Sequence, residues 1–184
     1  MSNFQFLSPE WPDIHDSAKR AETLARTDAR SSCFYARRTL ELAAEWLYQH
    51  DSTLKRPYDS NLSALIYEPS FKNNLSNDLF LKVKTIKEVG NIAVHSRKPV
   101  TERDALRATK ELFHFLYWLA RTYTRRTAAA YEKLVFDEQK VPARQVSVSV
   151  QTVEQLRKLE EELKEKDKQL AEKAKTLADT DAEI

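Results

Sequence analysis

Thr101–Tyr123 reads TERDALRATKELFHFLYWLARTY. Pro99 precedes it, and Thr101 with Asp104 resembles a shortened capping box, Asp standing where Glu or Gln is usual. Leu112, Phe113, Phe115, Leu116, Trp118 and Leu119 then crowd one part of the segment at helical spacing. So wide an apolar face predicts a long helix at the centre of a bundle.

The flanking sequence supplies partners for it. Asp28 opens ARSSCFYARRTLELAAEWLYQH, in which Cys33, Ala36, Leu40, Ala43, Ala44 and Leu47 form one stripe. Upstream, Asp13 is expected to cap a helix to about residue 27, with Ile14, Ala18, Ala21, Leu24 and Ala25 inward. Phe4, Phe6, Leu7 and Trp11 make the lead before it apolar enough to pack back onto the bundle. Pro57 interrupts the chain before a short helix over residues 61–67, which Pro69 is expected to end. Ser76 or Asn77 can cap DLFLKVKTIKEVG, with Leu79, Val83 and Ile86 inward and an end or bend near Gly90. AAAYEKLVF, after the aromatic helix, reads as a last helical stretch. The expected fold is all-α, a four- to five-helix bundle over residues 1–140.

Composition removes several function classes. Gly90 is the only glycine, which argues against a sheet-rich fold and excludes phosphate-cradling loops that need two or more. Cys33 is the only cysteine, so no internal disulfide and no cysteine-based zinc site can form. The first residues lack a basic segment followed by an apolar run, and no stretch is long and apolar enough to span a membrane. A cytoplasmic protein without membrane partners is expected. The net charge of +2 gives no global reason for nucleic-acid binding, so any basic patch must be local.

Residues 141–151 are expected to form an extended linker, because RQVSVSV alternates polar and apolar with no partner strand in view. Residues 152–184 read as a charged, coiled-coil-like helical arm. Leu156, Leu163, Leu170, Leu177 and Ile184 recur every seventh residue, but the companion seam runs Leu159, Lys166, Lys173. That seam predicts weak self-association. The register is unbroken at Ile184, so the arm is expected to continue in a longer protein.

His15, His50, His95 and His114 have no histidine or cysteine at metal-ligand spacing, and no metal site is expected. The segment of unusual local character is KVKTIKEVGNIAVHSRK, residues 82–98. Asn91 and His95, four apart, share a face if helical. One reading makes Gly90 a point of tight helix crossing, with Asn91 and His95 satisfying buried backbone groups. The other makes a polar pocket or a phosphate-binding face from Lys82, Lys84, Lys87, Arg97 and Lys98. Arg37, Arg38, Arg121, Arg125 and Arg126 read as solvated surface.

Three segments carry a family resemblance: FYARRTLELAAEWLYQ, LFLKVKTIKEVGNIAVHS and ALRATKELFHFLYWLARTY. In this order they resemble the helical domain of unknown function at the N-terminus of many type I restriction enzyme R subunits, over residues of about 10 to 180. Arg37 and Glu41 match that family's Arg-x-x-x-Glu helix, and Gly90, Asn91 and His95 its Gly-Asn-x-x-x-His element. The parent subunit is an ATP-dependent DNA translocase with a nuclease domain, working with methylation and specificity subunits. The resemblance therefore implies a non-catalytic domain that docks partner subunits or the duplex DNA backbone. ATP and Mg are implied for the parent alone, with no cofactor in this segment. The domain is also similar to HEPN bundles, some of which are RNases with Arg-x(4–6)-His. Here the positions five to seven before His95 are Gly90, Val89 and Glu88, so the arginine is missing. An RNase or toxin fragment is the alternative, and a free-standing helical adaptor a third.

Overall fold

The computed structural model describes residues 2–127, 131, 133–143, 157, 158, 161, 165 and 168. The chain divides into two units, Met1–Arg144 and Gln145–Ile184. Among the described residues of the first are six α-helices: α1 Pro12–Leu24, α2 Ala29–His50, α3 Leu62–Tyr67, α4 Pro69–Asn73, α5 Asn77–His95 and α6 Glu102–Tyr123. The fold is an all-helical bundle. In the second unit Arg157, Lys158, Glu161, Glu165 and Lys168 are helical and exposed, and Arg157 lies 3.5 Å from Glu161. The leucine seam of the arm and RQVSVSV lie outside the described residues.

Helices α2 and α6 each pack on the other three long helices, and α3 lies against α2 and α5. Their faces are complementary in size. Cys33, Ala36, Leu40, Ala43, Ala44 and Leu47 of α2 are fully buried, and four of these six are small. Small side chains let neighbouring helix axes approach, while Leu112, Phe115, Leu116 and Leu119 of α6 fill the volume between. Ser32 Oγ donates to the Ala21 carbonyl at 2.7 Å, and Thr39 Oγ1 is hydrogen-bonded to Ser17 Oγ at 2.8 Å. Because the Thr39 hydroxyl proton goes to the Tyr35 carbonyl at 2.7 Å, Ser17 is the donor of the Ser17–Thr39 pair, and the buried α1–α2 seam has no unpaired hydroxyl at either position.

Start signals act largely as the residue types dictate. Asp28 accepts from the Ser31 amide at 3.0 Å, and Ser76 from the Leu79 amide at 3.2 Å. The shortened capping box forms in full: Thr101 Oγ1 accepts from the Asp104 amide, and Asp104 Oδ2 from the Thr101 amide at 2.9 Å. Three expectations need correction, and a fourth, at Pro69, holds with an addition. Helix α1 starts at Pro12, whose fixed φ suits the first helical position, so Asp13 sits inside the first turn instead of capping it. Pro69 closes α3 and also opens α4, with Glu68 as the shared boundary residue. Helix α5 does not end near Gly90 but continues through it to His95, and φ at Gly90 is not positive. Finally, Lys133 is a turn residue at φ 65° and residues 134–137 are non-helical, so no helix extends across AAAYEKLVF.

The lead is core. Phe4 and Leu7 are fully buried and Trp11 nearly so, while Phe6 lies edge-on to Phe113 at 5.7 Å. Glu22 of α1, 2 % exposed, accepts from Ser2 Oγ, from the Asn3 amide at 2.9 Å and from Asn3 Nδ2 at 2.6 Å. Asn3 also exchanges hydrogen bonds with the backbone of Asp137, at 2.9 and 2.8 Å.

Cys33 is buried, and burial together with the charge of Asp104 pushes its thiol up to about 12. The thiolate is the reactive form, so native protein should not react with an aromatic disulfide reagent. Denatured protein should release one equivalent of thiol. Rapid labelling under native conditions would contradict this packing.

Candidate functional site

The residues singled out in α2 and α5 meet where these helices cross. An ideal Cβ on Gly90 would lie 2.3 Å from the Arg37 Cβ and under 3 Å from its Cγ and Cδ. Glycine is needed here for close approach, not for backbone conformation. Arg37 then lies across α5 and donates from Nε to Asn91 Oδ1 at 3.0 Å. Glu41, one turn further along α2, pairs with Arg38 at 3.1 Å. His95 ends α5 and is exposed. Arg37, Gly90 and Asn91 thus form one contact, and Glu41 belongs to a separate surface pair.

The reading that Asn91 and His95 satisfy buried backbone groups is corrected: Asn91 accepts from Arg37, His95 is exposed, and neither side chain bonds a backbone group among the described residues, so the carbonyls at the end of α5 fall to another side chain. Arg30 satisfies them from the first turn of α2. Its Nη1 donates to the carbonyls of Ala93 at 2.7 Å and Ser96 at 2.9 Å, and its Nη2 to that of Lys98 at 2.6 Å. A cation at a helix C-terminus also complements the partial negative charge there. Arg30 lies on one helical face with Phe34 and Arg37 at i, i+4, i+7 spacing, but that spacing does not name its distant acceptors.

The five basic residues are dispersed. Lys82 sits between Asp78 at 3.3 Å and Glu111 at 3.5 Å, so its charge is matched. Lys87 Nζ lies over the Tyr67 ring, 5.0 Å from its centre. Lys84 is half-buried on α5, while Arg97 and Lys98 are exposed beyond its end. From Lys82 to His95 alone the helix rises about 20 Å.

A second constellation escaped the sequence reading, at the C-terminal end of α2. Glu10, Trp11, Trp46, His50, Tyr123 and Arg125 border a cleft of about 470 Å³. The Trp46 ring stacks on His50 at 4.2 Å and meets Trp11 and Tyr123 edge-on at 5.6 and 5.8 Å. Burial pushes the Glu10 carboxyl up, but donors overcome it: Thr124 Oγ1 at 2.5 Å, the Arg125 amide and the Tyr131 hydroxyl, both at 2.9 Å, with the charge of Arg126 in support. The result is a carboxyl held below its usual value. Burial and the hydrogen bond it donates to Asp51 push the Tyr123 phenol up to about 12, and Asn74 donates to its oxygen. His50 Nδ1 lies 2.8 Å from the Trp46 carbonyl. Glu10, His50 and Tyr123 are engaged by neighbouring groups, while Trp11 Nε1 is buried without a partner among the described residues, and the cleft is a corner joining the lead, α2 and the end of α6.

Residues 19–179 match the family described as Domain of unknown function (DUF4145). The chain belongs to that family. No curated protein and no solved structure matches it. The DUF4145 match begins within α1 and takes in both faces of the α2–α5 crossing, so Arg30, Arg37, Gly90 and Asn91 all lie in family sequence. No helix among the described residues is long and apolar enough to cross a membrane.

Proposed function

We propose that this DUF4145 chain is a non-catalytic docking domain of a type I restriction enzyme R subunit. The observation that carries the reading is the use made of the resemblance-bearing residues. Arg37 and Asn91 are hydrogen-bonded to each other and Gly90 is filled by the Arg37 stem, so the shared motif acts as a helix-crossing lock. A lock presents a surface, and that surface is suited to protein. Leu81 and Ile92, on the same side of α5, are 59 % and 40 % exposed, and Phe34 on α2 is 42 % exposed. Exposed apolar side chains rimmed by charge are typical of a docking face. The partners would be the methylation and specificity subunits, and the ATP- and Mg-dependent motor and nuclease would belong to the parent protein.

The test is assembly followed by size-exclusion chromatography with purified methylation and specificity subunits. The chain is expected to co-elute with them, and Leu81→Ser with Ile92→Ser to weaken that association about tenfold or more. ATP, duplex DNA and structured RNA should show no turnover. RNA cleavage lost in His95→Ala would instead establish the HEPN-like RNase reading.

A further inference from the structure

The outward side of α6 carries Arg103, Arg107, Lys110, His114, Tyr117 and Arg121, spaced four, three, four, three and four residues apart. At 3.6 residues per turn all six fall in a sector about 80° wide, along a length of about 27 Å. Arg103, Arg107, Lys110 and Arg121 are exposed.

The carboxylates near this stripe are already engaged. Arg26 bonds Glu102 at 2.8 Å and Glu138 at 3.1 Å. Glu111 is matched by Lys82 at 3.5 Å and lies 3.2 Å from His114. Asp104 accepts from the Thr101 amide and hydroxyl in the capping box. Arg103, Arg107 and Lys110 make no ion pair among the described residues. They border a groove of about 700 Å³ together with Leu106, Phe136 and the carboxylates Glu102, Glu111 and Glu138. Charge around the groove is balanced overall, since these carboxylates line it as well; what sets the stripe apart is that its exposed cations are not held in ion pairs among the described residues.

Two features choose the occupant. None of the large apolar side chains exposed among the described residues lies on α6. Leu106 and Phe136, both half-buried, are the only apolar side chains lining the groove among the described residues, so a protein partner would find little apolar surface to bury there, whereas a phosphate backbone needs none. Single strands bind by stacking bases on open aromatic rings. The stripe has two rings: His114, held 3.2 Å from Glu111 and edge-on to Phe113, and Tyr117, which the Arg121 guanidinium covers at 5.7 Å. A straight row of cations without a stacking platform fits a duplex, of which about 27 Å spans roughly eight base pairs.

We infer that the Arg103–Arg107–Lys110 stripe of α6 is a sequence-independent contact for the phosphate backbone of duplex DNA. The choice of DNA over duplex RNA rests on the restriction-subunit reading; the choice of a duplex backbone rests on the stripe alone. It replaces the dispersed Lys82–Lys98 residues as the phosphate-binding face.

The full chain is titrated by fluorescence anisotropy into a short mixed-sequence duplex at several low salt concentrations. Arg103→Ala, Arg107→Ala and Lys110→Ala combined should weaken binding at least about tenfold. The slope of log K against log salt should flatten by about two to three units, since each phosphate contact contributes about 0.9. The same change at Lys84, Lys87 and Arg97 should move the slope by less than about one unit. Thermal melting should be unchanged by the stripe variant, because its residues are exposed. An unchanged slope, no binding by the unmodified chain at low salt, or equal affinity for single strands would each overturn the inference. So would stripe-dependent binding confined to an acidic protein. Subunit co-elution by the stripe variant is the separating measurement: a failed stripe with intact assembly leaves the docking reading standing. A stripe that binds duplex RNA as well as DNA, with no assembly, removes the restriction reading and keeps the backbone contact.

Discussion

Phe4→Ala is expected to cost about 3–5 kcal/mol of folding stability, the range for truncating a buried phenylalanine. Phe4 is fully buried beside Leu7, and its ring meets Phe113 at 6.1 Å. Phe113 is itself stacked on Tyr117 at 6.1 Å and touched edge-on by Phe6 and Phe136. Removing Phe4 leaves a void against α6 that these rings cannot easily close, because each is held by another contact. A domain of this size has about 5–15 kcal/mol in total, so the melting temperature should fall by roughly 10–20 °C. Phe34→Ala, at a ring 42 % exposed, should cost less than about 1 kcal/mol. Equal losses at both positions, measured by thermal and urea unfolding, would mean that the lead is not part of the core.

Gly90→Ala should cost about 1–3 kcal/mol by overpacking, against a helix-propensity gain of about 1 kcal/mol for alanine. The new Cβ would meet the Arg37 Cβ at 2.3 Å, and a Cβ cannot rotate away. Helices α2 and α5 must therefore separate, which also stretches the Arg37–Asn91 bond and the Arg30 cap. A second change, Arg37→Ala, should not restore stability, since alanine keeps the clashing atom. Arg37→Gly should recover part of it. Full rescue by Arg37→Ala would place the clash in the arginine's outer carbons, and a stabilised Gly90→Ala would show that the crossing is loose.

The parts legible from sequence are those decided by local periodicity. The Cys33–Leu47 stripe and the Thr101–Asp104 box emerged at the stated positions because helical spacing and capping act within a few residues. Arg30 was illegible for the opposite reason: its acceptors lie more than sixty residues away, on a helix end whose neighbour no local pattern names. Gly90 was ambiguous because glycine serves both a helix end and a close crossing, and only the position of Arg37 separates the two. The α6 stripe was hidden by its own regularity. Arg103, Arg107 and Lys110 look like any solvated face until Glu102, Glu111 and Glu138 are seen bonded to Arg26 and Lys82. Tyr131 is buried while Leu134 and Val135 are exposed, which a helical reading of AAAYEKLVF could not anticipate.

Asn3 and Glu10 both reach the chain beyond α6, one through the backbone of Asp137 and the other through Thr124, Arg125 and Tyr131. In mechanical terms the bundle is buckled shut, its first ten residues acting as the strap. Tension applied to the chain after residue 143 would not load α6 alone. It would pass at Asp137 into Asn3 and Glu22, and at Arg125 into Glu10, spreading over the lead and α1 before the C-terminal turn of α6 could be peeled away.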